Sequence, residues 1–263
     1  MTPLRRSCMA ALALLSCLAL PLGARAQGAP SPLLTAFSPT STGAAPPPWH
    51  FSTLPNKKAT RFEVVRLDGR TVLRVETDDA YGNLVHPVRL ALDGGATLGW
   101  RWRVDRFVEG ADLRTRAGDD GAAKLCVFFA LPTDRLPFTE RARLALARSA
   151  TGEDVPSETL CYVWDGKEAR NTELVNAFTQ RIRMLVLESG PAEPGAWRSE
   201  RRNLLADYQR AFGAEAGGLQ PDVVGVAVSA DADNTGSQGL AYFADLDLRG
   251  TGAGPSMQTV HGP

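Results

Sequence analysis

The chain is poor in the residues that carry most acid–base and metal chemistry. Its 263 residues include three histidines, His50, His86 and His261, and four cysteines. No two histidines stand at metal-ligand spacing and no Gly-x-Ser-x-Gly elbow occurs, which sets zinc and serine hydrolases aside. Gly94-Gly95 and Gly217-Gly218 lack a following Lys-Ser/Thr, so no phosphate-cradling loop is present. Net charge is also absent, with 29 Lys+Arg against 29 Asp+Glu. Nucleic acid, which needs a basic excess to engage phosphates, is therefore not an expected partner. Lysine is scarce: Lys57, Lys58, Lys124 and Lys167 stand against 25 arginines. No apolar run reaches the roughly twenty residues of a membrane span. With 44% hydrophobic and 22% charged residues, the remainder reads as an ordinary globular protein with a substantial core.

The N-terminus reads as an export signal. Arg5 and Arg6 precede an apolar stretch from Met9 to Leu22, and Ala24-Arg25-Ala26 supplies a small-x-small cleavage pattern. Cleavage after Ala26 is expected, with lipidation at Cys17 as the alternative, disfavoured because the apolar stretch runs on to Leu22. A periplasmic or secreted location follows. The leader's three arginines leave 26 of the 29 basic residues against 29 acids, a mildly acidic mature chain. It also removes two cysteines. Cys126 and Cys161 remain, both in strand-like segments, and two readings stand: a disulfide between neighbouring strands, or two buried thiols.

Residues 27–48, rich in Ala, Pro, Ser and Thr, read as a flexible linker, and 250–263 as a disordered tail. Between them, 49–249 form one domain. Arg61–Leu67 and Thr71–Glu76 flank Asp68-Gly69, a strong hairpin signal. In Leu98–Asp105, Trp100, Trp102 and Val104 share one face while Arg101, Arg103 and Asp105 share the other. Further strands are expected at 84–90, 124–131, 159–164, 182–188, 222–229 and 240–248. Helices are expected over 140–148 and, capped by Ser199 and stopped by Gly213, over 200–212. Too few helices alternate with strands for a parallel α/β sheet. The predicted fold is all-β with one or two short helices, an antiparallel β-sandwich of jelly-roll type.

Several strings add a resemblance. Trp100-Arg-Trp-Arg-Val104, Gly110-Ala-Asp112 and Arg116-Ala-Gly-Asp-Asp120 are followed by Tyr162-Val-Trp-Asp165, Glu188-Ser-Gly190 and Trp197-Arg-Ser-Glu-Arg-Arg-Asn203. Asp207-Tyr208, Phe212-Gly213 and Asp231-Ala-Asp-Asn-Thr-Gly236 complete the set. Over roughly Trp49 to Leu248 the chain resembles bacterial exported proteins of domain-of-unknown-function family 3047, which implies no established activity. The Trp49/Phe51 entry and the closing Ala241–Leu248 strand are more loosely similar to carbohydrate-binding β-sandwich modules, a likeness of architecture only.

Candidate chemistry rests on acids and aromatics. Asp231, Asp233 and Asn234 before Gly236 place oxygens as calcium loops do, and Asp245 would join them. The twelfth position is Tyr242 rather than Glu, so this is no EF-hand; the competing reading is a solvated turn whose acids bond their own backbone. Trp164 and Trp197 would stack sugar rings, with Asp165, Glu188, Asn203 and Asn234 bonding hydroxyls, unless both tryptophans simply fill the core. Asp119 and Asp120 are further acids at predicted strand ends; an enzyme would draw its carboxylates from Asp165, Glu188 and Asp231 or Asp233, although no local motif pairs them. The leading reading is an exported protein binding a glycan or other envelope component without catalysis and without a cofactor, apart from a structural calcium. The alternatives are a polysaccharide-acting enzyme and a structural envelope protein that binds through its loops.

Overall fold

The computed structural model describes residues 32–37, 42–132, 134, 136, 138–151, 156–190 and 195–250. The expected leader, with Cys17 and the cleavage site after Ala26, and the tail beyond residue 250 lie outside these. Among the described residues twelve strands run in chain order as β1 His50–Ser52, β2 Arg61–Leu67, β3 Arg70–Asp78, β4 Tyr81–Ala91, β5 Thr97–Arg106, β6 Gly121–Ala130, β7 Glu158–Asp165, β8 Glu173–Val175, β9 Ile182–Ser189, β10 Arg198–Asn203, β11 Asp222–Asp231 and β12 Gln238–Arg249. Helix α1 spans Phe138–Thr151 between β6 and β7, and α2 spans Leu204–Ala216. The strands form a seven-stranded sheet, β1-β4-β11-β6-β7-β9-β8, and a five-stranded sheet, β10-β5-β12-β3-β2. The fold is an antiparallel jelly-roll-type β-sandwich; the pairing of β7 with β9 is parallel.

Alternation in the sequence builds the interior. Trp100 and Trp102 of β5 face Tyr162 and Trp164 of β7, with ring centroids 5.2 and 5.7 Å apart, and Phe243 of β12 lies 6.1 Å from Trp102. Burial of each such side chain contributes on the order of 2–3 kcal/mol, which ties the two sheets together. The β2–β3 hairpin turns on Asp68 and Gly69, both at positive φ (51° and 75°), as a two-residue turn matched to strand twist requires.

Three expectations change. Residues 198–203 form an edge strand on β5 rather than the start of a helix. The reason is a two-residue charge alternation: Glu200 and Arg202 are half-buried, and Arg202 reaches Asp207. Consequently α2 begins at Leu204, its N-cap is Asn203, and it runs through Gly213 to a left-handed Gly217 (φ 56°). Part of the stretch expected to be a flexible linker is packed: Leu34 and Phe37 are buried, and the Trp49 indole donates to Thr35 O at 2.8 Å.

Candidate functional site

An irregularity in β6 creates the centre of the site. Ser229 pairs with Lys124 but Asp231 pairs with Gly121, so three steps on β6 oppose two on β11. The extra residue turns Gly121 and Lys124 to the same carboxylate. Gly121 N donates to Asp231 Oδ1 at 2.7 Å, and Lys124 Nζ to Oδ2 at 2.9 Å. A Cβ at 121 would lie 2.8 Å from Lys124 Cε, so a side chain there would displace the lysine from its place beside Asp231. Burial alone would lower the Lys124 ammonium, but Asp231 and then Asp119 hold it well above its ordinary value. Burial pushes Asp231 up to about 6 against the pull of Lys124, with Asp120 and Asp119 adding to the rise.

The turn after β11 closes over this pair. Asp120 accepts from Asn234 N at 3.3 Å, Asn234 Nδ2 at 3.0 Å and Thr235 N at 2.7 Å. Asp119 Oδ2 accepts from Asn176 Nδ2, and Lys57 pairs with Asp233 Oδ2. Three buried oxygens here have no hydrogen-bond partner among the described residues: Asp119 Oδ1, Asp233 Oδ1 and Thr235 Oγ1. Beside them, Phe178 is 53% exposed, with the Arg116 guanidinium 5.4 Å from its ring centroid.

Asp120 and Gly121 also form one wall of a cavity of about 210 Å³. Phe107, Val108, Ala111 and Leu113 form the side contributed by the loop after β5, and Val163 to Lys167 line the end of β7. Asp165 Oδ1 accepts from Lys167 N and Glu168 N at 3.3 and 3.4 Å, which caps the turn. Burial raises its carboxyl above the ordinary range. The chemistry on offer is an apolar lining beside the side chains of Asp120, Asp165 and Lys167.

The structure brings together only part of the expected residue set. Trp164, Asp165, Asp231, Asp233 and Asn234 belong to this end of the sandwich. Trp164 is only 2% exposed, its N–H donating to Gly190 O at 3.1 Å, so it is a core residue with one edge at the cavity rather than a platform. Trp197 lies half-buried on the outer side of the five-stranded sheet beneath Arg101, whose guanidinium is 5.2 Å from the ring. Asn203 caps α2, accepting from Ala206 N at 2.9 Å and donating to Gly94 O at 3.0 Å.

Glu188 is not with Asp165. It pairs across the sheet with Trp164, whose side chain points inward, whereas Asp165 points the other way. Arg170 and Arg198 approach Glu188 at 3.3 and 3.9 Å. Its acidic neighbour is Glu200, whose carboxyl is raised by burial first and then by Glu188. The carboxylates expected to act jointly in an enzyme, Asp165, Glu188 and Asp231 or Asp233, thus do not share a groove.

Nor do Asp231, Asp233 and Asp245 converge on calcium. Lys124 occupies both oxygens of Asp231, and Asp245 sits on β12 with Arg70 and Arg101 each at 3.6 Å. Among the described residues no three His, Cys, Asp or Glu side chains are grouped to hold a metal. Cys126 and Cys161 stand opposite each other on β6 and β7 and are disulfide-bonded. Sequence reasoning missed Lys124, Asn176 and Glu200. Lys124 carried a readable signal, as the lone charge within the apolar run Ala122–Phe129.

Comparison with known proteins adds fold neighbours and a family. No curated protein matches the sequence. Similar solved structures include the xyloglucanase domain of NopAA, a type three effector from Sinorhizobium fredii, solved in complex with cellobiose. It is 8% identical, with a TM-score of 0.42, covering 82% of this chain and 99% of that one. The endoglucanase 3 of Trichoderma harzianum, from family GH12, is 12% identical with a TM-score of 0.36, covering 78% and 100%. The endo-1,4-β-glucanase CelB2 is 11% identical with a TM-score of 0.38, covering 80% and 100%. Residues 47–247 match the family described as Protein of unknown function (DUF3047), and the chain belongs to that family.

Proposed function

We propose that the protein is exported and binds a glycan or another polyhydroxylated envelope component, without turning it over, in the cavity at the ends of β6 and β7. The observation that carries this reading is the cavity's composition: Phe107, Val108 and Trp164 give it apolar lining, and Asp120, Asp165 and Lys167 line it alongside them. Such a combination suits a ligand with one apolar face and a rim of hydroxyls. At about 210 Å³ it is smaller than the ~300 Å³ where drug-sized pockets begin, so it suits one sugar unit or a chain end. The Cys126–Cys161 disulfide agrees with an oxidising compartment, as does the leader-like N-terminus. No helix among the described residues is long and apolar enough to cross a membrane.

The test is calorimetry against a panel of envelope and plant oligosaccharides, with reducing-sugar release measured in parallel. Wild type should bind without releasing sugar. Asp165→Asn, which keeps the Oδ1 acceptor for the turn, should retain its fold and lose binding about tenfold. Sugar release would overturn the non-catalytic part of the reading, and silence across the whole panel would overturn the site.

A further inference from the structure

We propose that Glu188 and Glu200 form a proton-operated latch between the two sheets, one that sets how firmly the cavity wall at Trp164 and Asp165 is held. Such a latch governs the cavity whatever occupies it, so it goes beyond the glycan-binding reading and does not rest on it.

Glu188 lies near the end of β9 in the seven-stranded sheet, and Glu200 on β10, the edge strand of the five-stranded one. Glu188 pairs with Trp164 and Glu200 with Trp100, both inward-facing, so the two acids project between the sheets. Arg198, on the same face of β10 as Glu200, reaches Glu188 Oε2 at 3.9 Å. Arg170, from the turn after β7, reaches Oε1 at 3.3 Å. The two carboxyl groups lie within hydrogen-bonding reach, and the Trp102 N–H of β5 faces Glu200 without closing a well-formed hydrogen bond. Arg202, next along this face of β10, is committed to Asp207. Burial, and then the charge of Glu188, raises the Glu200 carboxyl above its ordinary range, so the pair favours holding one proton. That proton turns repulsion into a hydrogen bond joining β10 to β9. The bond is complete below the ordinary value of 4.5 and is lost as pH rises through the raised one.

Gly190 carries the effect to the cavity, two residues beyond Glu188. Its N donates to Asp165 O at 2.8 Å, and its O accepts from the Trp164 indole at 3.1 Å. Trp164 and Asp165 both line the cavity, and Trp102 packs on Trp164 with ring centroids 5.7 Å apart. Two carboxylates pushed apart therefore loosen the turn that seats both wall residues.

The test follows amide hydrogen exchange of the whole protein, as protection factors, between about pH 4.5 and about pH 7. Protection at Gly190 and along β10 should fall at least about threefold over that interval, while the β2–β3 hairpin holds. Glu200→Gln cannot ionise yet keeps a donor for Glu188, so its protection should stay level. Glu188→Gln, which removes the repelling charge, should flatten the response likewise. Asp165 is the other raised carboxyl beside Gly190, and Asp165→Asn should leave the fall in place. Level protection in the wild type, or a fall that both glutamine variants retain, would overturn the latch. A fall abolished by Asp165→Asn alone would assign the titration to Asp165 and overturn it too. No ligand enters any of these measurements, so their failure leaves the glycan reading to its own test.

Discussion

Lys124 and Asp231 form an ion pair inside the protein, Nζ lying 2.8 and 2.9 Å from the two oxygens with the side chains only 8% and 10% exposed. Gly121 N donates to the same carboxylate at 2.7 Å, so the pair also clamps the start of β6 to the end of β11. Lys124→Met leaves a carboxylate without its cation, and Asp231→Leu leaves a buried ammonium. Each single substitution should cost about 3–5 kcal/mol. The double variant should be more stable than either single, short of wild type by about 1–3 kcal/mol because Gly121 N–H loses its acceptor. Urea unfolding of the four proteins measures this cycle. Additive losses would mean that the two charges are not coupled.

His86 ties the N-terminal segment to the sandwich through its neutral form. Thr35 N donates to Nε2 at 3.0 Å, so Nδ1 carries the proton and donates to Pro87 O at 2.9 Å. Burial lowers the His86 pKa below 6.5, with Pro87 opposing. Stability from this group is therefore present above pH 6.5 and lost as pH falls through the lowered value. Acidification should thus loosen residues 33–37. Hydrogen-exchange protection factors should fall at Thr35; unchanged protection there would contradict the assigned tautomer.

The Cys126–Cys161 bond closes a loop of 35 residues that contains α1. Loop-closure entropy for that length gives about 3–4 kcal/mol, the amount by which the Cys126→Ala/Cys161→Ala variant should fall in unfolding free energy. A loss under about 1 kcal/mol would show that the β6–β7 pairing already restricts the unfolded chain.

The fold was legible wherever alternation was strong. Trp100, Trp102 and Val104 announced β5, and Asp68-Gly69 announced the hairpin between β2 and β3. What misled was Arg198–Asn203, where Leu204, Tyr208 and Phe212 extended a helical period backwards over residues that pair with β5 instead. The three-residue strands β1 and β8 are too short to carry a period at all. Within the site, the acids were visible but not their facing. Irregularities in β6 near Gly121 and in β9 before Glu188 each change which side chain points where. A residue count along a strand misses such a step, because one extra residue exchanges the two faces. That is why Asp165 and Glu188, both at strand ends, look like partners in sequence and are not.

Gly239 links the core to the cavity. It pairs with Thr77 on the five-stranded sheet, and a Cβ there would lie 2.9 Å from Ala122 Cβ and 3.0 Å from Val108 Cγ2. Neither neighbour yields easily. Ala122 is part of the β6 irregularity, and Val108 belongs to the loop that walls the cavity. Gly239→Ala should therefore cost about 1–3 kcal/mol through overpacking. Gly94→Ala, with nothing within 4 Å of its Cβ, should change stability by under about 0.5 kcal/mol. Because the displaced atoms include a cavity wall, Gly239→Ala should also weaken ligand binding at temperatures where the variant is fully folded. Calorimetric affinity beside thermal melting separates the two effects. Binding that survives a lowered melting temperature would show that the loop carrying Val108 does not shape the site.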